Sequence, residues 1–178
     1  MGNLRSVARA LEEAGAHVEV TGDPTRMRAA DGLCVPGQGA FGRCMASLDG
    51  AGLTDLIREW VEDDRPYLGI CLGMQVLFDA SDEQGPAPGL GLFRGRAELL
   101  PDTVRVPHIG WNVVEDRHYY FDHSYAVRPL DAEDVRGWCE HGRRFAAWIE
   151  RGPLTAVQFH PEKSARAGID LLRSWLAT

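Results

Sequence analysis

The clearest chemical signal in the sequence is a cysteine with a glycine two residues away on each side. Cys71 lies in the pentapeptide Gly-Ile-Cys-Leu-Gly at residues 69–73. The apolar run at residues 66–70 predicts a short buried strand, and residues 74–78 predict the start of a helix. A sharp turn between the two requires small neighbours, and a helix N-terminus favours thiolate over thiol. The pentapeptide indicates either a nucleophile or an ordinary buried cysteine.

A histidine and a glutamate two residues apart form the second signal. His160 and Glu162 stand in the segment Gln-Phe-His-Pro-Glu at residues 158–162. On an extended segment, side chains two positions apart point the same way, so we expect these two to meet. A carboxylate can then hold one ring nitrogen and leave the other as a base for a nucleophile. A histidine before proline is by itself more often structural, but together with Cys71 the pair indicates nucleophilic catalysis.

A glycine-rich loop precedes these residues. The segment Gly-Gln-Gly-Ala-Phe-Gly at residues 37–42 matches the glycine fingerprint of dinucleotide sites, which alone is weak evidence. In such a site an acidic residue ends the next strand, about 20 residues on. Here the acidic residues at 62–64 end a predicted helix instead. The alternative is a loop whose backbone amides face an anionic intermediate, because glycine lets backbone approach a ligand closely.

Composition bounds the class of protein. The 178 residues, 44% hydrophobic and 25% charged, predict one globular domain over residues 1–178. A net charge of -7 argues against a nucleic-acid-binding surface, and no apolar run approaches the roughly 20 residues of a membrane span. The four cysteines lack CxxC spacing and paired histidines, so we expect no metal site and no cofactor. Without a secretion signal they predict thiols in a reducing cytoplasm.

The predicted elements change character along the chain. A helix begins near Leu4, with Asn3 as N-cap and Gly15 as its stop. Strands at residues 17–20 and 32–35, a helix at 53–61 and the strand before Cys71 then alternate, which predicts a parallel sheet covered on both faces. The second half predicts mainly strands and a closing helix, at residues 95–100, 105–115, 118–127, 145–150, 154–159 and 170–176.

Six segments resemble the class I glutamine amidotransferases and, within them, the glutaminase subunits of imidazole glycerol phosphate synthase. They are Met-Gly-Asn-Leu-Arg-Ser-Val at residues 1–7, Val-Pro-Gly-Gln-Gly-Ala-Phe at 35–41, Gly-Ile-Cys-Leu-Gly-Met-Gln at 69–75, Pro-His-Ile-Gly-Trp-Asn at 107–112, His-Ser-Tyr at 123–125 and Gln-Phe-His-Pro-Glu-Lys-Ser at 158–164. The first and fourth point to this subunit in particular. The resemblance implies an α/β fold: a flavodoxin-like parallel sheet flanked by helices, with a more antiparallel C-terminal half.

The resemblance also implies a reaction. Cys71 attacks the side-chain amide of glutamine, giving a thioester and ammonia, while His160 moves the proton and Glu162 orients His160. The backbone amides of Leu72 and Gln38 hold the oxyanion.

Further residues are implied as binding groups. Glutamine is held by Gly39, Gln75, Glu83 and the backbone near Ser124 and Tyr125. The ammonia passes to a partner, the cyclase subunit, in a heterodimer. That interface is implied to include His108, Trp111, Asn112 and Lys163.

Two departures from the family pattern lead to expectations of their own. The family's first strand, an interior strand that ends in Asp-Tyr-Gly just before Met-Gly-Asn, is missing here. Its loss would leave a gap with unpaired backbone groups, so we expect poor folding of the chain as written and a true start upstream of Met1. The segment between Asn112 and Tyr119 is shorter than the family's. Gln38 stands where relatives often have valine, but only its backbone is needed.

Two alternatives stay open at this point. The chain could be the glutaminase of a different synthase, which keeps the chemistry and changes the partner. It could also be a non-catalytic remnant that keeps the motifs without the first strand.

Overall fold

Helices cover a mixed sheet in the computed structural model, which describes residues 4–178. The expected N-cap Asn3, and with it the start of the Met-Gly-Asn segment, lies outside the described residues. The helices are α1 (Leu4–Ala14), α2 (Pro24–Arg28), α3 (Phe41–Gly50), α4 (Leu53–Glu62), α5 (Leu72–Gln75), a 3-10 turn (Pro161–Lys163) and α6 (Ala165–Leu176). No helix within residues 4–178 is long and apolar enough to span a bilayer.

The strands form one large sheet and one separate hairpin. They are β1 (Leu33–Gly37), β2 (Tyr67–Cys71), β3 (Phe78–Ser81), β4 (Ala87–Pro88), β5 (Phe93–Leu99), β6 (His108–Val114), β7 (Arg117–His123), β8 (Tyr125–Pro129), β9 (Val135–Glu140), β10 (Arg144–Arg151) and β11 (Leu154–Val157). The large sheet has the order β1-β2-β11-β10-β8-β5-β3-β4, with β9 on β10, and β6 pairs with β7.

Pairing directions divide the large sheet as the resemblance implied. β1, β2 and β11 are mutually parallel neighbours, as are β3 and β5. The pairs β11–β10, β10–β8, β5–β8, β10–β9 and β3–β4 are antiparallel. The expected fold class, a parallel sheet with a more antiparallel C-terminal half, is therefore confirmed.

Alternate residues of β2 pack on opposite faces of the sheet. Leu68 and Ile70 belong to one buried cluster, together with side chains of α1 and α6. Tyr67 belongs to a second cluster with side chains of α3 and α4. The Trp60 indole of α4 also donates to the Pro66 carbonyl over 2.9 Å, which ties that helix to the start of β2. Both faces of β2 are therefore covered, as expected for a parallel sheet.

The N-terminal edge of the sheet differs from the prediction. Residues 17–20 form no strand, and β1 pairs only with β2. Within residues 4–178 no strand pairs with the side of β1 that faces away from β2, and the poor folding expected from the missing strand stays a prediction. β1 is therefore an edge strand, a position open to pairing with another strand.

Several predicted boundaries are wrong for local reasons. The helix predicted at residues 74–78 begins at Leu72 and ends at Gln75, because Phe78 already pairs with β5. The strand predicted at residues 118–127 is two strands, since the chain leaves the hairpin at Ser124 and joins the large sheet as β8. Five elements were not predicted from the sequence: α2, α3, β3, β4 and β9.

The shortened segment after Asn112 is a tight hairpin turn. Only Glu115 and Asp116 separate β6 from β7, and both have positive φ, 48° and 63°. Positive φ at both central residues is the geometry of a two-residue turn that matches the twist of the flanking strands. β6 and β7 are paired over their full length, from His108–His123 to Val114–Arg117.

A close backbone contact joins β1 to the turn after β2. A Cβ built on Gly73 would overlap the carbonyl oxygen of Val35, and one on Gly69 would lie 2.6 Å from the carbonyl oxygen of Gly73. Real Cβ atoms do not approach backbone this closely. The two glycines that frame Cys71 are therefore required by packing, which confirms the predicted reason for small neighbours.

We predict that Gly73→Ala destabilises the protein. The added methyl must push β1 away from the turn, at a cost of about 1–3 kcal/mol in the free energy of unfolding. Gly50→Ala is the control, because a Cβ there meets nothing within 4 Å and alanine favours a helix. Urea denaturation measures both, and equal stability of the two variants would contradict the contact.

Candidate active site

Cys71 sits at the junction where β2 passes directly into α5. Its φ is 55° and its ψ is -108°, a conformation uncommon for a residue other than glycine. Such backbone persists only where the surrounding structure fixes it, and it is concentrated at functional sites. Here the fixing contacts are those of Gly69 and Gly73. The Cys71 residue is 8% exposed and lines a cleft.

His160 lies beside Cys71 and is held from behind by Glu162. The Nδ1 atom of His160 is 2.8 Å from Oε1 of Glu162, and both side chains are 1% exposed. The predicted contact is present, but the predicted reason was wrong. His160 is extended, whereas Glu162 belongs to the 3-10 turn Pro161–Lys163. Ser164 fixes that turn by donating its hydroxyl to the His160 carbonyl over 2.6 Å.

The surroundings of His160 favour its charged form. Burial on its own lowers the pKa of the imidazole, whereas hydrogen bonds to Cys71 and to the Glu162 carboxylate raise it, and the resulting pKa is about 9. Near neutral pH the ring is therefore an imidazolium. A cation beside the sulfur stabilises the thiolate, the nucleophilic form of cysteine.

The other three cysteines have environments that disfavour a thiolate. Burial raises the pKa of the Cys34 thiol to about 12, and the negative charge of Glu162 adds to the effect. Burial likewise raises the pKa of Cys139 to about 12 and raises the pKa of Cys44. None of these three lines the cleft at Cys71.

The cleft in front of Cys71 has a volume of about 360 Å³. Its lining includes every residue that the sequence predicted for the oxyanion and for glutamine: Gln38, Leu72, Gly39, Gln75, Glu83, Ser124 and Tyr125. Gly37, Pro107, Asp122, His123 and His160 complete it. The glycine loop after β1 thus faces the cysteine, an arrangement that favours the anion-loop interpretation over a dinucleotide site.

Two polar residues of the cleft also hold its walls in place. The Glu83 carboxylate accepts the backbone N–H of Phe41 over 2.7 Å, which fixes the end of the glycine loop where α3 begins. The Gln75 side-chain amide donates to the Tyr125 carbonyl over 2.8 Å, which ties α5 to β8. Both residues therefore combine a place on the cleft lining with a structural contact.

A row of histidines runs behind the cleft toward β6. His123 donates Nδ1–H to the Tyr125 carbonyl over 2.9 Å, because a carbonyl can only accept. Its Nε2 must then accept from Nδ1–H of His108, 3.0 Å away. The side-chain amide of Asn112 extends this chain of hydrogen bonds, since its Nδ2 lies 3.3 Å from Nε2 of His108.

Both histidines of this row are neutral at ordinary pH. Burial lowers the pKa of His123 to about 3, although its hydrogen bond to Tyr125 opposes the shift. Burial, aided by the neighbouring His141 ring, lowers the pKa of His108 to about 4. His108, expected at a partner interface, is the first residue of β6, has a buried side chain, and contacts the cleft wall through His123.

Two other residues expected at the interface, Trp111 and Lys163, lie on the outer side of the hairpin. Trp111 is 54% exposed and packs edge-on against Tyr120. The Lys163 ammonium lies 3.3 Å from the Asp122 carboxylate and above the Tyr120 ring. Asn112, also expected there, is partly exposed but lies on the inner side with His108, where its amide nitrogen donates to the Glu140 carbonyl over 3.1 Å.

Sequence reasoning missed one buried polar group in contact with the sulfur. The amide nitrogen of Gln158 lies 3.5 Å from Sγ of Cys71. Gln158 stands two residues before His160, so the alternation argument used for His160 would have placed both side chains on the same side. Pro107 and Asp122 were also missed as cleft residues, and no spacing in the sequence marks them.

Comparison with known proteins identifies the family. The family described as glutamine amidotransferase class-I matches residues 1–176. The imidazole glycerol phosphate synthase subunit HisH of Moorella thermoacetica is 46% identical over 188 residues, covering 98% of this chain and 90% of the relative. The subunit of the same name from Corynebacterium diphtheriae is 45% identical over 197 residues, covering 98% of this chain and 93% of the relative.

A solved structure shares the fold. A crystal structure of a glutamine amidotransferase superposes with a TM-score of 0.78 at 22% identity, covering 99% of this chain and 93% of the other. The match over residues 1–176 and the identity to the two synthase subunits lead to one conclusion. The chain belongs to the class I glutamine amidotransferases.

Proposed function

We propose that this chain is the glutaminase subunit of an imidazole glycerol phosphate synthase, which hydrolyses glutamine and passes ammonia to a cyclase subunit. The names of the relatives support the synthase. The observation that carries the chemistry is the contact of Cys71 with His160, which Glu162 holds at 2.8 Å, at the end of a cleft. The same observation disfavours a non-catalytic remnant.

In the first half-reaction the Cys71 thiolate attacks the side-chain amide carbon of glutamine. A C–S bond forms, and the carbonyl electrons move to oxygen. When the tetrahedral intermediate collapses, the C–N bond breaks and the leaving nitrogen takes the proton of the His160 imidazolium. A thioester and ammonia result.

In the second half-reaction water attacks the thioester. The now neutral His160 accepts a proton from the water, a C–O bond forms, and the C–S bond breaks with its electron pair returning to sulfur. Glutamate leaves, and the thiolate and imidazolium are restored. Glu162 keeps Nδ1 of His160 occupied through both halves, so that Nε2 faces the sulfur.

Backbone amides are suited to the oxyanion that forms twice. Leu72 is the first residue of α5, and Gln38 follows β1 in the glycine loop, and both line the cleft. Amides fixed by β1 and α5 need no reorganisation when the charge develops. Gly39, Gln75, Glu83, Ser124 and Tyr125 line the remaining wall and are proposed to hold glutamine.

The cyclase is proposed to dock on the outer face of the β6–β7 hairpin. Ile109, Trp111 and Val113 alternate along β6 and are all exposed, 59%, 54% and 46%, so they form one apolar stripe. Exposed apolar patches rimmed by polar groups mark interaction sites. Pro107 and Asp122 of this hairpin region also line the cleft, so a partner here would sit beside the ammonia.

We predict that Cys71→Ala abolishes glutamine-dependent synthesis. The variant should still bind the cyclase, and ammonia from solution should still support the cyclase, which needs only the free amine. Cys44→Ala is the control and should keep full activity, because Cys44 lies outside the cleft. The assay measures glutamate release in the presence of purified cyclase. Glutamine turnover by the Cys71→Ala variant would show that Cys71 is not the nucleophile.

We predict that Glu162→Gln lowers the pKa of His160 below the wild-type value of about 9, because the negative partner is lost. The raised pKa of His160 also makes the stability of the fold depend on pH. Protonated His160 stabilises the fold fully below about pH 6.5, and this contribution is lost as the pH rises to about 9. NMR titration of labelled histidine measures the shift.

The activity ranking follows from the same roles. His160→Ala should be nearly as damaging as Cys71→Ala, since groups acting as one unit are strongly non-additive, and Glu162→Gln should be milder. An unchanged His160 titration in Glu162→Gln, or lower activity there than in His160→Ala, would show that the roles are assigned wrongly.

We predict that Trp111→Ala weakens binding to the cyclase at least tenfold, as truncation of a central aromatic anchor does. Leu130→Ala is the control: Leu130 is 66% exposed but lies after β8, away from the hairpin. Isothermal titration calorimetry compares the two, and equal affinities would place the interface elsewhere.

A further inference from the structure

Gln158 is a fully buried polar side chain that the reaction scheme leaves without a role. It follows β11 and is 0% exposed. Its backbone N–H donates to the Ala147 carbonyl over 2.9 Å, which anchors it to β10. Its side-chain nitrogen lies 3.5 Å from Sγ of Cys71. A carboxamide in direct contact with the nucleophilic atom can either donate to it or repel it, depending on which end faces the sulfur.

The orientation of this amide is fixed by its neighbours. The Tyr125 carbonyl only accepts hydrogen bonds, so the Gln75 atom 2.8 Å from it must be the nitrogen, Nε2. The same nitrogen lies 2.9 Å from the Gln158 side chain, so the atom it meets there must be Oε1. The other end of Gln158, which faces Cys71, is therefore the NH2 group.

We propose that Gln158 is a further catalytic residue, which donates an N–H hydrogen bond to Sγ of Cys71 and so stabilises the thiolate. The proposal rests on the assignment of Cys71 as the nucleophile. A hydrogen bond to the charged form of an acid favours that form. Gln75 acts as a positioning residue. Its Nε2 donates to Oε1 of Gln158, and this contact orients the NH2 group of Gln158 toward Sγ of Cys71.

The Gln158 amide complements His160 because it does not ionise at ordinary pH. His160 gives its proton to the departing ammonia, so its charge near the sulfur changes during the reaction. Gln158 stays a neutral donor throughout. When water opens the thioester and the electron pair of the C–S bond returns to sulfur, both groups face the forming thiolate.

The test is the variant Gln158→Met, which keeps the length of the side chain and removes the donor. Iodoacetamide alkylation of Cys71 is followed as a function of pH by peptide mass spectrometry, which separates it from the other cysteines. We expect the midpoint of the profile to move to higher pH and the rate at pH 7 to fall by about three- to tenfold. With cyclase present, kcat should fall and KM for glutamine should stay within about twofold.

Thr155→Val is the matched control. Thr155 is buried in the same strand region, but its position is three residues from Gln158, which places its side chain on the other face. Its alkylation profile and kcat should equal those of the wild type. An unchanged profile in a folded Gln158→Met protein overturns the proposal, and so does a rise in KM with kcat unchanged, which would indicate a merely structural part in shaping the cleft.

A second measurement needs no substitution at Gln158. The side-chain amide proton of Gln158 that faces the sulfur should resonate at a different shift in wild type and in Cys71→Ala, while that of Gln75 stays in place. Identical shifts would contradict the hydrogen bond. Failure of the nucleophile assignment is distinguishable, because Cys71→Ala would then keep its glutaminase activity, whatever Gln158→Met does.

Discussion

The close approach of Gly73 to the Val35 carbonyl is the constraint on which the rest of the site depends. It lets β2 turn into α5 within one residue, and that residue is Cys71, held at a φ of 55°. A side chain at position 73 would separate α5 from β1 and move the sulfur away from the glycine loop. The same turn sets the first amides of α5 beside the end of β1, where we propose that the charge of the intermediate develops.

Sheet order explains why residues far apart in the chain meet at this turn. β1, β2 and β11 are adjacent and parallel, so their carboxyl ends lie at one edge of the sheet, where open α/β sheets bind ligands. Gly37 stands opposite Cys71 in the register, and His160 follows three residues after the end of β11. The segment that follows β11 supplies two groups to the sulfur, Gln158 and His160, which are two residues apart.

The sequence alone predicted the positions of those groups that depend on short-range patterns in the chain. The paired glycines predicted the turn at Cys71, and the alternation of apolar residues predicted most of the central elements. The contact of His160 with Glu162 was also predicted, although a 3-10 turn and not an extended strand produces it.

What could not be predicted depends on partners distant in the chain. Residues 17–20 alternate like a strand, but a strand needs a hydrogen-bonded neighbour, and these residues pair with none of the described strands. Ser124 marks the passage between two sheets without any glycine or proline signal. The directions of Gln75, Gln158 and His123 follow from one carbonyl, that of Tyr125, which only the folded structure brings to them.

We propose that Cys71 alone, among the four cysteines, is the nucleophile for a glutamine-shaped substrate. The most direct test of this proposal is covalent labelling of the complex with cyclase by a chloroketone analogue of glutamine, read out by peptide mass spectrometry. We expect one label per chain, on Cys71, and protection by excess glutamine. Labelling at Cys34, Cys44 or Cys139, or labelling of Cys71 that glutamine does not slow, would contradict it.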